Sequence, residues 1–152
     1  MEQLGIEMLT PDRVAELWAE LEPLVDASCK ANDFAIDTLT PEHILLSAIA
    51  GLSVVFVGLE SDKPTTVLVI QFNDQDGHKG ADILAMAGKS LLKFKILYWD
   101  VILDWLRANE VEFLDTYANE RLAKIYMSKY GFTKSCVCVR MPLQERYYEQ
   151  IS

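Results

Sequence analysis

Between Leu91 and Ala108 the chain runs without a glycine or a proline and is apolar on more than half of its circumference. Such a stretch is too long for a strand. It must be a helix, and that much apolar surface implies burial on two sides. An apolar, strand-like run at residues 81–87 precedes it across the break Gly88-Lys89-Ser90, and a second, at 111–117, follows Asn109-Glu110. A helix that joins two strands of one sheet makes those strands parallel, by a right-handed crossover. Ala118-Asn119-Glu120 then opens another helix, whose Leu122, Ile125, Tyr126 and Tyr130 form a packed face before Gly131-Phe132 ends it. Residues 81–132 are therefore a strand-helix-strand-helix unit, and such units carry ligand sites where their strands end.

The rest of the chain builds onto this unit. Residues 4–9 are apolar and extended. Thr10-Pro11-Asp12 and Thr40-Pro41-Glu42 are both helix-start signals, a capping hydroxyl followed by proline at the first helical position. The first opens a helix with Val14, Leu17, Trp18 and Leu21 on one stripe and Pro23 as a point of bending; the second opens a helix with Ile44, Leu45, Ala48 and Ile49, closed at Gly51. The β-rich runs 53–57 and 65–72, joined through residues 60–64, read as an antiparallel hairpin. A turn cluster at 73–77 leads into the strand at 81–87, and a last strand at 133–141 closes the sheet before Pro142. The fold class is α/β: a mixed, twisted sheet with helices on both faces, in the order β-α-α-β-β-β-α-β-α-β.

Hydrophobic residues make up 51% of the 152 and charged ones 24%, the balance of one globular domain spanning residues 1–152, with 143–152 as a C-terminal tail. Tyr147, Tyr148 and Ile151 of that tail could dock on the body or on a partner. With 23 acidic residues against 14 basic ones, the net charge of -9 repels a phosphate backbone, so nucleic acid is not an expected partner. No apolar run is long enough to span a bilayer and Met1-Glu2-Gln3 begins no signal peptide, so a soluble, intracellular protein is expected. The three cysteines are an odd number and point to a reducing compartment, with Cys136 and Cys138 expected as small buried residues on one face of the last strand.

The element order, with Asn119-Glu120-Arg121-Leu122-Ala123-Lys124-Ile125-Tyr126 followed by Gly131-Phe132, resembles the GNAT superfamily of acetyl-CoA-dependent N-acyltransferases. Within it, Leu84, Gly88, Phe94, Trp105, Asn119 and Gly131 fall where the small GNAT-like internal virion proteins of short-tailed bacteriophages carry comparable residues. That narrower resemblance implies a virion or assembly protein that binds other phage or host proteins, in the host cytoplasm or the virion, with oligomers possible. The broader one implies an active enzyme that transfers an acetyl group from acetyl-CoA to an amine.

In working members of the superfamily, Arg or Gln followed by Gly-x-Gly or Gly-x-Ala presents backbone N–H groups at a helix start to the cofactor pyrophosphate. Here the equivalent is Ala85-Met86-Ala87-Gly88-Lys89-Ser90-Leu91, with one glycine and no preceding Arg or Gln. The resemblance assigns cofactor contacts to Ala87, Gly88, Lys89, Ser90, Leu91 and Asn119. Two readings of Gly88-Lys89-Ser90 stand side by side: a phosphate contact through Lys89, or a plain strand-to-helix turn in which Gly88 supplies freedom and Ser90 caps the helix. The family's acid tyrosine falls on Tyr126 when counted from Asn119, but on Met127 when counted back from Gly131. One step along a helix turns a side chain by about 100°, so only one of them faces the cofactor. For a general base, Glu60, Asp74, Asp76 and His78 lie in turns, while Asp115 interrupts an apolar strand. His43 and His78 sit on separate elements and make no metal site.

Overall fold

Two tight hairpins organise the sheet. The computed structural model describes residues 4–32, 39–141 and 143; the aromatic tail and Pro142 lie outside the described residues. Strands β2 (Ser53–Glu60) and β3 (Lys63–Gln75) are joined by Ser61-Asp62, and β3 and β4 (His78–Gly88) by Asp76-Gly77, all four turn residues at positive φ. Two-residue turns of that hand match the twist of the flanking strands. The strands consequently extend past their apolar runs: most of the cluster at 73–77 is ladder, with Asn73 opposite Gly80, Asp74 opposite Lys79 and Gln75 opposite His78.

β1 (Gly5–Leu9) lies along the far side of β2 and β5 (Phe113–Thr116) along β4, in the order β1-β2-β3-β4-β5. Every pair is antiparallel except β4 with β5, which is parallel as the crossover requires.

Helices α1 (Pro11–Ala31) and α2 (Pro41–Ile49) begin as their start signals predict, with the Thr10 and Thr40 hydroxyls accepting from the N–H groups of Arg13 and His43. α1 continues through Pro23 as one helix. The two cover one face of the sheet, setting Val14, Leu21, Val25, Ile44 and Ala48 against Val55, Val57, Val67, Val69 and Ala85. α3 (Leu91–Ala108) and α4 (Glu120–Lys129) cover the other, where Phe94, Trp99, Ile102 and Leu106 meet Phe56, Leu68, Ile70, Ala81 and Ile83. Central strands with both faces covered are apolar at every position, as residues 67–70 are.

α3 buries one side only. Leu92, Ile96, Leu97 and Val101 are exposed, so the two-sided burial expected of it is not observed. Ile125 of α4 is likewise outside, and Tyr126 and Tyr130 are the residues turned toward the core. The last expected strand also differs: among the described residues, 133–141 pairs with no strand, and Cys136 and Cys138 are exposed where burial was expected. Alternation in sequence marks two faces of a segment, but burial needs a sheet to supply the covering.

β4 outlasts β5. Their ladder runs from Gly80 with Phe113 to Ile83 with Thr116, after which β4 continues to Gly88 while the chain beyond β5 leaves for α4. On the other side of β4, Ile83 faces Ile70 and Ala85 faces Val69, which leaves Leu84 as an extra residue. A bulge of this kind bends its strand. The two parallel strands therefore part, and a split opens between them.

Candidate functional site at the split between β4 and β5

The last turn of α1 lies across the mouth of the split. Met86 on the free edge of β4 donates its N–H to Ser28 Oγ at 3.0 Å. Asn32, which caps α1, accepts from the Asn119 N–H at 2.9 Å and donates to the Tyr117 carbonyl. Asn119 Nδ2 and Arg121 both reach the Ala31 carbonyl, at 3.0 and 3.2 Å, while Asn119 Oδ1 accepts from the Leu122 N–H at 2.9 Å to cap α4. The Asn119 side chain is thus engaged in joining two helix ends, satisfying carbonyl and N–H groups that would otherwise lack partners.

On the face covered by α3 and α4, Tyr126 packs edge-on against Phe132, with ring centroids 5.3 Å apart, and its phenol bonds the side chain of Thr116, the last residue of β5. Burial raises the Tyr126 pKa, with the Thr116 bond opposing, so the phenol keeps its proton. Met127 is exposed. Of the two registers, Tyr126 is the one turned toward the split.

The opposite face carries carboxylates. Asp82 and Asp115 are partners across the parallel ladder, one residue before the split, and side chains paired in this way project from the same face. Asn73 Nδ2 donates to Asp82 at 2.7 Å. Burial raises the Asp82 pKa; the Asn73 bond opposes this and the Asp115 charge adds to it. The row continues across the sheet, since Asp82 faces Gln71 and Gln71 faces Ser53. Asp82 interrupts an apolar run just as Asp115 does, and that signal could have found it in the sequence. Ser28 and Asn32 gave none, because what they do depends on where α1 crosses the sheet.

The start of α3 is built differently from the turn expected. Gly88 has φ +149°, and a Cβ there would sit 2.2 Å from the Thr65 carbonyl oxygen and 2.5 Å from Thr66 Cα. Its smallness serves the packing of β4 on β3. The Lys89 N–H donates to that same carbonyl at 3.0 Å. Ser90 does not cap the helix; its hydroxyl donates to Glu60 at 2.8 Å. The first turn of α3 therefore has no side-chain cap and no acidic residue, and Lys89 and Lys93 stand exposed beside it. Ala87 of β4 pairs with Val67 of β3, and Leu91 opens the helix, partly buried.

The remaining base candidates lie elsewhere. Asp74 accepts from the Gly77 N–H within the β3–β4 turn, Asp76 is exposed in that turn, and His78 pairs with Glu112 at 2.8 Å at the end of β4 remote from the split. Among the described residues no group of three His, Cys, Asp or Glu is placed to hold a metal, and no helix is long and apolar enough to cross a membrane.

No protein-family model and no curated protein matches this sequence. Solved structures do. A GCN5-related N-acetyltransferase from Ralstonia eutropha superposes with TM-score 0.66 at 13% identity, covering 93% of this chain and 100% of its own. A predicted acetyltransferase from Clostridium acetobutylicum, solved with acetyl-CoA, gives 0.64 at 12% identity over 93% and 97%. An aminoglycoside acetyltransferase from an uncultured soil metagenomic sample, in complex with sisomicin, gives 0.63 at 19% identity over 93% and 97%. At these identities the shared property is the fold, and the fold of this chain is that of the GNAT acetyltransferases. Nothing in these likenesses ties it to virion proteins.

Proposed function

We propose that this chain is an N-acyltransferase that takes its acyl group from acetyl-CoA, with the reacting carbonyl seated in the split between β4 and β5. One observation carries the reading: the split lies between a proton-bearing phenol on one face, Tyr126, and a pair of carboxylates on the other, Asp82 and Asp115. An acyl transfer to an amine needs a proton removed on one side of the carbonyl and delivered on the other, and this arrangement separates the two tasks.

The residues at the helix start fit the donor. Uncapped N–H groups in the first turn of α3, with Lys89 and Lys93 beside them, would hold a pyrophosphate. Lysines at a helix N-terminus oppose the helix dipole and cost stability of about 0.3–1 kcal/mol each, a cost that an anion would relieve. The free edge of β4, with Ala85 and Ala87 as its small residues, would take the extended arm. Acetyl-CoA, when bound, supplies an activated thioester. Asp82, its proton affinity raised by burial, accepts a proton from the amine, and Tyr126 donates one to the departing sulfur.

A second reading, a protein that keeps this fold and works by binding phage or host proteins, is favoured by a different observation. Two N–H groups of the split, those of Met86 and Lys89, already have partners within the chain. Thermal unfolding with and without acetyl-CoA separates the two. Cofactor at a hundred times its dissociation constant stabilises by about 2.7 kcal/mol, which in a domain of this size is about 5–11 °C. Release of free thiol in the presence of an amine panel should accompany the shift. No shift at millimolar cofactor would sink the enzyme reading.

A further inference from the structure

Asn73 stands in a row of the sheet next to the row that holds the carboxylates. It pairs with Gly80, and Gly80 with Phe113, just as Gln71 pairs with Asp82 and Asp82 with Asp115. The rows are two residues apart along each strand, so their side chains leave the same face. Gly80 leaves a gap in its row, and the neighbours fill it from both sides: a Cβ on Gly80 would lie 2.1 Å from Phe113 Cε2 and 2.7 Å from Asn73 Oδ1. The ring from β5 and the amide from β3 therefore meet over bare backbone.

This seat orients the amide. With Oδ1 turned onto Gly80, Nδ2 reaches Asp82 Oδ2 at 2.7 Å. Half a turn about the last side-chain bond would set Oδ1 against the carboxylate, acceptor against acceptor. A short bond from an amide to a charged oxygen is of the stronger kind.

Asp82 needs that donor. Burial, and after it the charge of Asp115, favours the protonated carboxyl, and among the groups that act on it Asn73 opposes them. Gln71 of β3, which faces Asp82, is neutral, and on α1, which covers this face, Lys30 is paired with Asp26 at 2.8 Å. A base must be unprotonated to work.

We propose that Asn73, seated over Gly80 by the ring of Phe113, is the positioning residue of Asp82: it holds the carboxylate in one orientation and favours the charged form that takes a proton from the amine. The role rests on the acyl-transfer reading, in which Asp82 is the base. Carboxyl NMR of the unliganded chain follows Asp82, and the pH dependence of kcat/KM for thiol release follows the base. In the wild-type chain the Asn73 side-chain amide signal should titrate with the Asp82 midpoint. Asn73→Ala admits water beside the carboxylate and Asn73→Leu puts apolar volume there; the Asp82 midpoint should rise in both, because both lack the donor. Gly80→Ala keeps the amide in the chain but takes its seat, and should raise the midpoint too. The acid limb of the kcat/KM profile should move up with it. Circular dichroism tests whether the variants fold; should any not, the wild-type amide titration, which needs no substitution, decides. A midpoint that stays or falls in either folded Asn73 variant, or an amide signal blind to Asp82, overturns the positioning role. A midpoint that rises while the acid limb stays put instead overturns Asp82 as the base.

Discussion

Replacing Gly88 with alanine separates the two uses of a glycine at the junction of β4 and α3. The new methyl would lie 2.2 Å from the Thr65 carbonyl oxygen and 2.5 Å from Thr66 Cα, both backbone atoms that no side-chain rotation can move aside. The end of β4 would have to lift from β3. That movement breaks the 3.0 Å bond from the Lys89 N–H to the Thr65 carbonyl, a loss of about 1 kcal/mol. Alanine at φ +149° adds backbone strain on the order of 1–3 kcal/mol. The sum, about 3 kcal/mol, corresponds to a fall in melting temperature of about 6–12 °C for a domain of this size. Calorimetry and urea unfolding of the unliganded protein measure it. Were the glycine there only to let a phosphate approach, the unliganded midpoint would not move and the loss would appear in acetyl-CoA binding alone; an unchanged midpoint refutes the packing argument.

Tyr126→Phe keeps the ring against Phe132 and removes the proton, so thiol release should fall by about 10²-fold or more while the lost Thr116 bond lowers the melting temperature by only about 2–4 °C, and full activity in this variant would remove the phenol from the chemistry. Burial raises the Asp82 pKa, so the folded chain binds that proton more tightly than the unfolded one; stability from this group is complete below its ordinary value of 3.8 and is lost as pH rises through the folded value. Asp82→Asn lacks that loss, so as pH rises from below 3.8 urea midpoints should shift in favour of the variant, and parallel curves would contradict the raised value. In Asp115→Asn the neighbouring charge is gone, and the Asp82 midpoint followed by carboxyl NMR should move down. Ser28→Ala leaves the Met86 N–H without its acceptor and should cost about 1 kcal/mol in urea unfolding of the unliganded chain.

Local chemistry made most of the elements legible. Thr10-Pro11 and Thr40-Pro41 fixed two helix starts, and the absence of Gly and Pro from Leu91–Ala108 gave α3 its observed bounds. Strand ends were read short because Ser61-Asp62 and Asp76-Gly77 make turns of two residues, which leaves polar positions such as Asn73 and Asp74 in the ladder. Asp115 was visible as a charge in an apolar strand, while its partnership with Asp82 depends on the parallel register, which no local pattern states. Ser90 looked like a cap, since serine before an apolar helix usually is one. Glu60, thirty positions away in sequence, holds its hydroxyl instead. Cys136 and Cys138 followed the alternation of a strand, and alternation does not reveal whether a neighbouring strand exists.

The bracket between the end of α1 and the start of α4 sets an order of events in folding. Asn32 and Asn119 are 87 residues apart. Closing a loop of that length costs about 4 kcal/mol in chain entropy, comparable to four ordinary hydrogen bonds at about 1 kcal/mol each. The four bonds through Ala31, Asn32, Tyr117, Asn119 and Arg121 therefore do little more than balance their own loop. They persist because packing of α1 and α4 on opposite faces of the sheet has already brought the two ends close. During synthesis, a chain that has emerged only as far as β4 can pair its hairpins and seat α1, but the last carbonyls of α1 must wait in water for Asn119 and Arg121. The split thus acquires its mouth only after the start of α4 has left the ribosome, so a nascent chain that ends at β4 carries the sheet without it.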